Sequence, residues 1–188
     1  MAELPQDEPG LRRPCGRFVF LGLVKEEKGI EVILTSVSEC AKGVSVDLFG
    51  PLEGAYTADD INRRGCGIVR YRGVLTPAQV YTELFGYDAL VLPTFYEGEG
   101  YPGVIIEAYS HGIPVISTRW RSIPEIVAGD TGILISTHSP GELAAAMNKM
   151  HGDPELYYRM KAAVRRKRLE FSDEFWTAQF LKWCNEII

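Results

Sequence analysis

The chain has 188 residues, 46% hydrophobic and 24% charged, with a formal net charge of −5. That length can bury a core of its own, roughly 70% of the unfolded surface, while the acidic balance argues against nucleic acid as a partner, because such a footprint is basic. Cys15, Cys40, Cys66 and Cys184 are scattered, with no CxxC pair and no histidine at metal spacing, so they read as reduced thiols of a cytoplasmic protein, and no run of about 18 apolar residues would span a membrane. Residues 1–16 are proline-rich and lack an apolar h-region, so they read as a disordered lead or linker remnant rather than a signal peptide. The folded domain is expected over 17–188. "RFVFLG" (17–22) is a short apolar run ending in glycine, a buried strand. After "LVKEEK", apolar Ile30, Ile33, Leu34, Val37 and Ala41 keep helical spacing until Gly43. "VSVDLFG" (44–50) and "GIVRYRG" (67–73) read as strands, and Thr76 with Pro77 opens a helix to about Phe85. "ALVLPT" is a strand, "PGVIIEAYSHG" a helix closed by Gly112, and "PVIST" and "TGILIS" two further strands. Three helices follow, over 139–152, 153–171 and 172–188, each opened by Ser or Asp. Strands with continuous apolar runs alternating with helices predict a doubly wound, Rossmann-like parallel sheet with C-terminal helices.

Such sheets bind ligands at the carboxyl ends of their strands, which directs attention to loops 22–29, 93–102 and 117–124. In "FYEGEGYPGVIIEAYS" (95–110), Pro102 at the start of a helix leaves the amides of Gly100, Tyr101 and Gly103 near a helix N-terminus. Partnerless amides and the positive end of the dipole suit phosphate, and glycines let a ligand approach the backbone. Glu99 precedes the helix, and Glu107 lies about one and a half turns inside it with its side chain leaning back toward the N-terminus. Carboxylates repel phosphate but accept from hydroxyls. A nucleotide-sugar offers both groups, a diphosphate for the amides and vicinal diols for the carboxylates. Glu107 reads equally well as a solvated residue beside His111, and Glu97 as a plain loop carboxylate. Lys28, just before Gly29, is placed to reach a phosphate, although a lysine there is by itself an ordinary surface charge.

The stretch Glu99-Gly-Tyr-Pro-Gly-Val-Ile-Ile-Glu107 resembles the E-x7-E motif of retaining GT-B glycosyltransferases related to sucrose and glycogen synthases, the group 1 family. "FVFLGLVKEEKGIEVIL", "DLFGP", "YRGVLTPAQVYTELFGYDALVLPTFYEGEGYPGVIIEAYSHGIPVIS" and "SIPEIVAGDTGILI" follow that family's segments in order, covering nearly everything from Arg17 onward. The resemblance implies the C-terminal, donor-binding half of a two-domain enzyme, with a nucleotide-diphospho-sugar, UDP- or GDP-linked, as substrate and neither metal nor other cofactor. It implies that Glu99 meets hydroxyls of the donor hexose and that Gly100, Tyr101 and Gly103 face the sugar and diphosphate. Glu107 would then accept from the ribose, Lys28 touch the diphosphate, and Tyr71 to Leu75 border the base beside Gly22. Glu99 and Lys28 stand as the catalytic pair. The diphosphate leaves, positive charge develops at the anomeric carbon, and the new bond forms on the same face, with Lys28 and the helix N-terminus stabilising the departing charge.

Two positions depart from the family pattern. Leu23 follows Gly22 where arginine is usual, which leaves open whether Lys25 supplies the missing charge, and Arg121-Ser122 replaces a Gly-Gly pair, which either makes that loop bulkier or adds the charge of Arg121 near the phosphates. The acceptor-binding N-terminal domain is absent from these residues, so it has to be supplied in cis or in trans, and the isolated domain is expected to be inactive. Phe175, Trp176, Phe180 and Trp183 of the last helix either cross back to that missing domain or pack on this one. The role implied is polysaccharide or glycoconjugate synthesis in the cytoplasm, with peripheral attachment at the inner face of the membrane left open. A non-catalytic nucleotide-sugar-binding or interaction module with the same fold is the alternative. A dinucleotide-dependent oxidoreductase is rejected, because "GLVKEEKG" lacks G-x-G-x-x-G.

Overall fold

Short apolar runs without alternation have nowhere to go but the middle of a sheet covered on both faces, and six of them do so. In the computed structural model, which describes residues 14–187, they form β1 (Arg17–Leu21), β2 (Ser45–Phe49), β3 (Val69–Gly73), β4 (Ala89–Leu92), β5 (Val115–Thr118) and β6 (Gly132–Ile135). All pairings are parallel, in the order β3-β2-β1-β4-β5-β6. Every residue of β4 and β5 is buried. The flanking helices are α1 (Ile30–Ser36), α2 (Ala58–Arg64), α3 (Pro77–Glu83), α4 (Gly103–Ser110), α5 (Ile123–Ile126), α6 (Pro140–Gly152), α7 (Pro154–Lys167) and α8 (Asp173–Ile187). This is the doubly wound Rossmann-like α/β fold. Its strand order reverses between β1 and β4, so a crevice opens where their carboxyl ends diverge.

Local chemistry sets the helix ends. Thr76 and Gln79 complete a capping box at α3, Asp153 accepts from the Leu156 amide at α7, and Ser172 Oγ accepts from the Phe175 amide at α8. Several boundaries differ from expectation. Glu26–Lys28 forms a 3₁₀ turn ended by Gly29 at φ 83°. The helix expected to reach Ala41 ends at Ser36, whose hydroxyl donates back to Ile33 O, and continues as a 3₁₀ turn over Val37–Glu39. In the same way α7 stops at Lys167, and Arg168–Phe171 is a 3₁₀ turn. Two helices escape the sequence reading. Of the α2 residues only Ile61 is buried, so no apolar period is visible, and α5 is a single turn.

Residues 1–13 of the expected lead lie outside the described residues. Cys15 and Gly16 are packed: Cys15 is buried, and the Gly16 and Arg17 amides donate to Asp88 Oδ2 at 2.8 and 2.9 Å. At the other end, α8 leaves Phe175, Trp176, Phe180, Leu181 and Trp183 exposed rather than packed on the sheet. Among the described residues, no helix is long and apolar enough to cross a membrane.

Candidate functional site

The crevice is built from the loops after β1 and β4. Gly29 lets them meet, because at its left-handed φ a side chain would lie 2.2 Å from Pro93 O. The amide of Phe95 donates to Glu27 O at 2.8 Å and stitches the two loops together. That contact brings Lys28 to Glu99. Lys28 Nζ stands 2.6 Å from Glu99 Oε2, with the Lys28 side chain 17% exposed. Glu99 itself is 7% exposed, whereas Glu97, two residues earlier, is exposed. The Thr94 hydroxyl lies 2.9 Å from the same Oε2 and 3.2 Å from Glu27 O; its single proton goes to the nearer, charged acceptor. Both bonds therefore fall on Oε2. Glu99 Oε1 accepts from no group among the described residues and is not sealed from solvent, so one carboxylate oxygen remains available as an acceptor.

Beside this pair begins α4. Pro102 is its N-cap, with φ −63° and ψ 109°, rather than its first helical residue as the sequence suggests. The residue before the helix is thus extended, and the Gly100, Tyr101 and Gly103 amides have no acceptor among the described residues. A side chain built at Gly100 or Gly103 would meet no atom within 4 Å, so the space beside this backbone is open. Partnerless amides at the positive end of an eight-residue helix favour an anion.

One and a half turns along, Glu107 faces a cavity of about 230 Å³. Its walls include Gly22, Gly50, Leu75 and Val104, drawn from the ends of β1 and β2, the loop after β3 and α4. The lining is apolar except for this one carboxylate and the backbone. Burial of the carboxyl against that lining pushes the Glu107 pKa up, and nearby His111 pulls it partly back. The residue as a whole is exposed, so the carboxylate sits at the cavity mouth and the effect is modest. His111 makes no side-chain bond to it; the ring instead lies 2.7 Å from Glu107 O and 3.0 Å from Tyr81 O, tying α4 to the residues of α3.

The residues singled out from sequence thus fall into three adjoining groups: Glu107, Leu75 and Gly22 around the cavity, the amides of Gly100, Tyr101 and Gly103 at the helix start, and Lys28 with Glu99 beyond them. Tyr71 is not among the cavity-lining residues; its hydroxyl donates to Gly50 O at 2.9 Å. Sequence reasoning missed Thr94 and Tyr96. Thr94 is a fully buried hydroxyl at the end of a parallel strand, a readable signal. Tyr96 was not readable: its ring centroid lies 3.8 Å from Lys25 Nζ and 5.0 Å from Lys28 Nζ only because the two loops are stitched.

A family described as "Glycosyl transferases group 1" matches residues 16–153. Over 181 residues the chain is 27% identical to a D-inositol 3-phosphate glycosyltransferase of Corynebacterium glutamicum, covering 90% of this chain and 43% of that protein. The chain therefore spans less than half the length of that curated relative. Among solved structures, sucrose-phosphate synthase from Thermosynechococcus elongatus superposes with a TM-score of 0.74 at 20% identity, over 92% of this chain and 45% of that one. The C-terminal domain of a group 1 glycosyl transferase, LpcC, from Francisella tularensis gives a TM-score of 0.65 at 18% identity, covering 83% of this chain and 86% of that domain.

Proposed function

The chain belongs to the group 1 glycosyl transferases, and from that premise we propose that it is the donor-binding domain of a retaining hexosyltransferase. The observation that carries this reading is the sequence of chemistries along one crevice: an apolar cavity with a single carboxylate, then partnerless amides, then an ion pair with a spare carboxylate oxygen. A nucleotide-diphospho-sugar has the complementary order of base and ribose, diphosphate, and hexose. Glu107 accepts from the ribose hydroxyls while Leu75 and Gly22 border the base. The Gly100, Tyr101 and Gly103 amides and the α4 dipole hold the phosphates. Glu99 Oε1 accepts from the hexose, and Lys28 stabilises charge on the departing diphosphate as positive charge grows at the anomeric carbon. Because Lys28 and Thr94 already hold Oε2, little reorganisation is needed when the sugar arrives. The donor is UDP- or GDP-linked. An acceptor-binding domain completes the enzyme, and the product belongs to polysaccharide or glycoconjugate synthesis in the cytoplasm.

Calorimetric titration with UDP, GDP and their hexose conjugates tests the reading. Glu107→Ala is expected to weaken free nucleotide and nucleotide-sugar alike. Glu99→Ala is expected to spare the free nucleotide and weaken only the sugar-bearing form. Equal losses in both variants would contradict the assignment of roles, and no binding by the wild type at millimolar concentration would sink the donor site itself.

A further inference from the structure

The loop between β5 and α5 carries a cation that no carboxylate neutralises. Arg121 adopts φ 47°, a left-handed conformation that an arginine enters only at an energetic cost, and such residues concentrate at ligand sites. Both of its chain neighbours are bound to the loop that opens α4. Trp120 Nε1–H donates to Tyr96 O at 2.9 Å, and the Ser122 hydroxyl donates to Gly100 O. Arg121 is therefore held against the stretch of backbone whose Gly100, Tyr101 and Gly103 amides lack acceptors. Its guanidinium lies 5.7 Å from the Trp120 ring centroid, is exposed, and makes no ion pair among the described residues. The two lysines of the loop after β1 are engaged: Lys28 on Glu99, and Lys25 on the Tyr96 ring with Glu27 4.0 Å away. Lysine presents a compact point charge, whereas the guanidinium fork matches two phosphate oxygens at once.

We propose that Arg121 is a phosphate-contacting residue of this crevice, supplying the second positive charge to the diphosphate of a bound nucleotide. This rests on the donor-site reading above. The ligand lies between the two loops, with Lys28 on the side of β1 and Arg121 on the side of β5. At this left-handed backbone position a glycine would be conformationally easier but could carry no charge.

The test uses Arg121→Gly, Arg121→Lys and, as a control for non-specific charge, Arg119→Ala, an exposed arginine two residues away. Binding of UDP, GDP, uridine and guanosine is measured by titration, and melting temperature is measured in parallel. Arg121→Gly is expected to weaken whichever diphosphate binds by about tenfold, the worth of one charge-assisted contact. It should leave the matching nucleoside unaffected and should not lower the melting temperature. Arg121→Lys should recover part of the loss, and Arg119→Ala should bind as the wild type does. Unchanged diphosphate binding in Arg121→Gly, or an equal loss in Arg119→Ala, overturns the proposal. If the wild type binds neither diphosphate, the donor-site reading fails first and takes this proposal with it.

Discussion

Lys28 Nζ lies 2.6 Å from Glu99 Oε2, joining two residues 71 positions apart in the chain. The contact crosses the point where the strand order reverses, so one ion pair ties the loop after β1 to the loop after β4 and fixes the Glu99 carboxylate. Both partners are largely buried, so removing one leaves the other with a desolvated charge.

Lys28→Met is accordingly expected to cost about 2–3 kcal/mol of stability, below the range for a fully enclosed pair because Thr94 still donates to Glu99. The double variant Lys28→Met/Glu99→Gln should lose less than the sum of the two single changes. Urea denaturation of all four proteins measures the coupling. Strict additivity would show that the pair is not an energetic unit.

Gly50 offers a purely steric prediction. At φ 140° a side chain there would lie 1.8 Å from Gly22 O, where the ends of β1 and β2 meet at the cavity wall. Gly50→Ala is expected to lose about 2–4 kcal/mol and to distort the cavity mouth. A melting curve and a nucleotide titration on the same sample check both effects.

Glu107 supplies a pH dependence. Its folded-state pKa is raised above the usual 4.5 by burial, so the charged carboxylate disfavours the folded state. That cost is absent below the unfolded value, develops as pH rises through the raised folded value, and is complete above it. Glu107→Gln should therefore melt slightly higher than the wild type at pH 7, and the gain should vanish by about pH 4, below the unfolded value. A gain independent of pH would point to packing instead.

Asp88 anchors the entry to β1. It is buried, and its Oδ2 receives the amides of Gly16 and Arg17. Asp88→Ala leaves two amides without a partner and should cost about 2–4 kcal/mol. Hydrogen exchange is expected to show early opening of residues 15–18, with the β4–β5 centre staying protected until global unfolding.

The strands, most helix starts and the three carboxyl-end loops were legible in the sequence, because continuous apolar runs, capping residues and glycine stops are local signals. Glu99 and Glu107 could be picked out by their spacing around a helix start. What local signals could not supply was pairing across the sheet. From sequence Glu97 and Glu99 are both loop carboxylates; in the fold one is exposed and the other is buried against Lys28 and Thr94. The α2 helix escaped notice because a single buried apolar residue, Ile61, makes no period. For Arg121 the sequence left a bulkier loop and an added charge near the phosphates as alternatives; the fold adds that both its neighbours are bound to the α4 loop.

By itself, then, the sequence determined the α/β architecture and the kinds of residue brought to one edge of the sheet, since burial periodicity and helix capping act over a few residues. Only the tertiary structure decided which carboxylate oxygen is held and which is left to accept, and which cation is engaged and which is not. Those outcomes depend on contacts between loops 71 and 24 residues apart, and no local pattern encodes them.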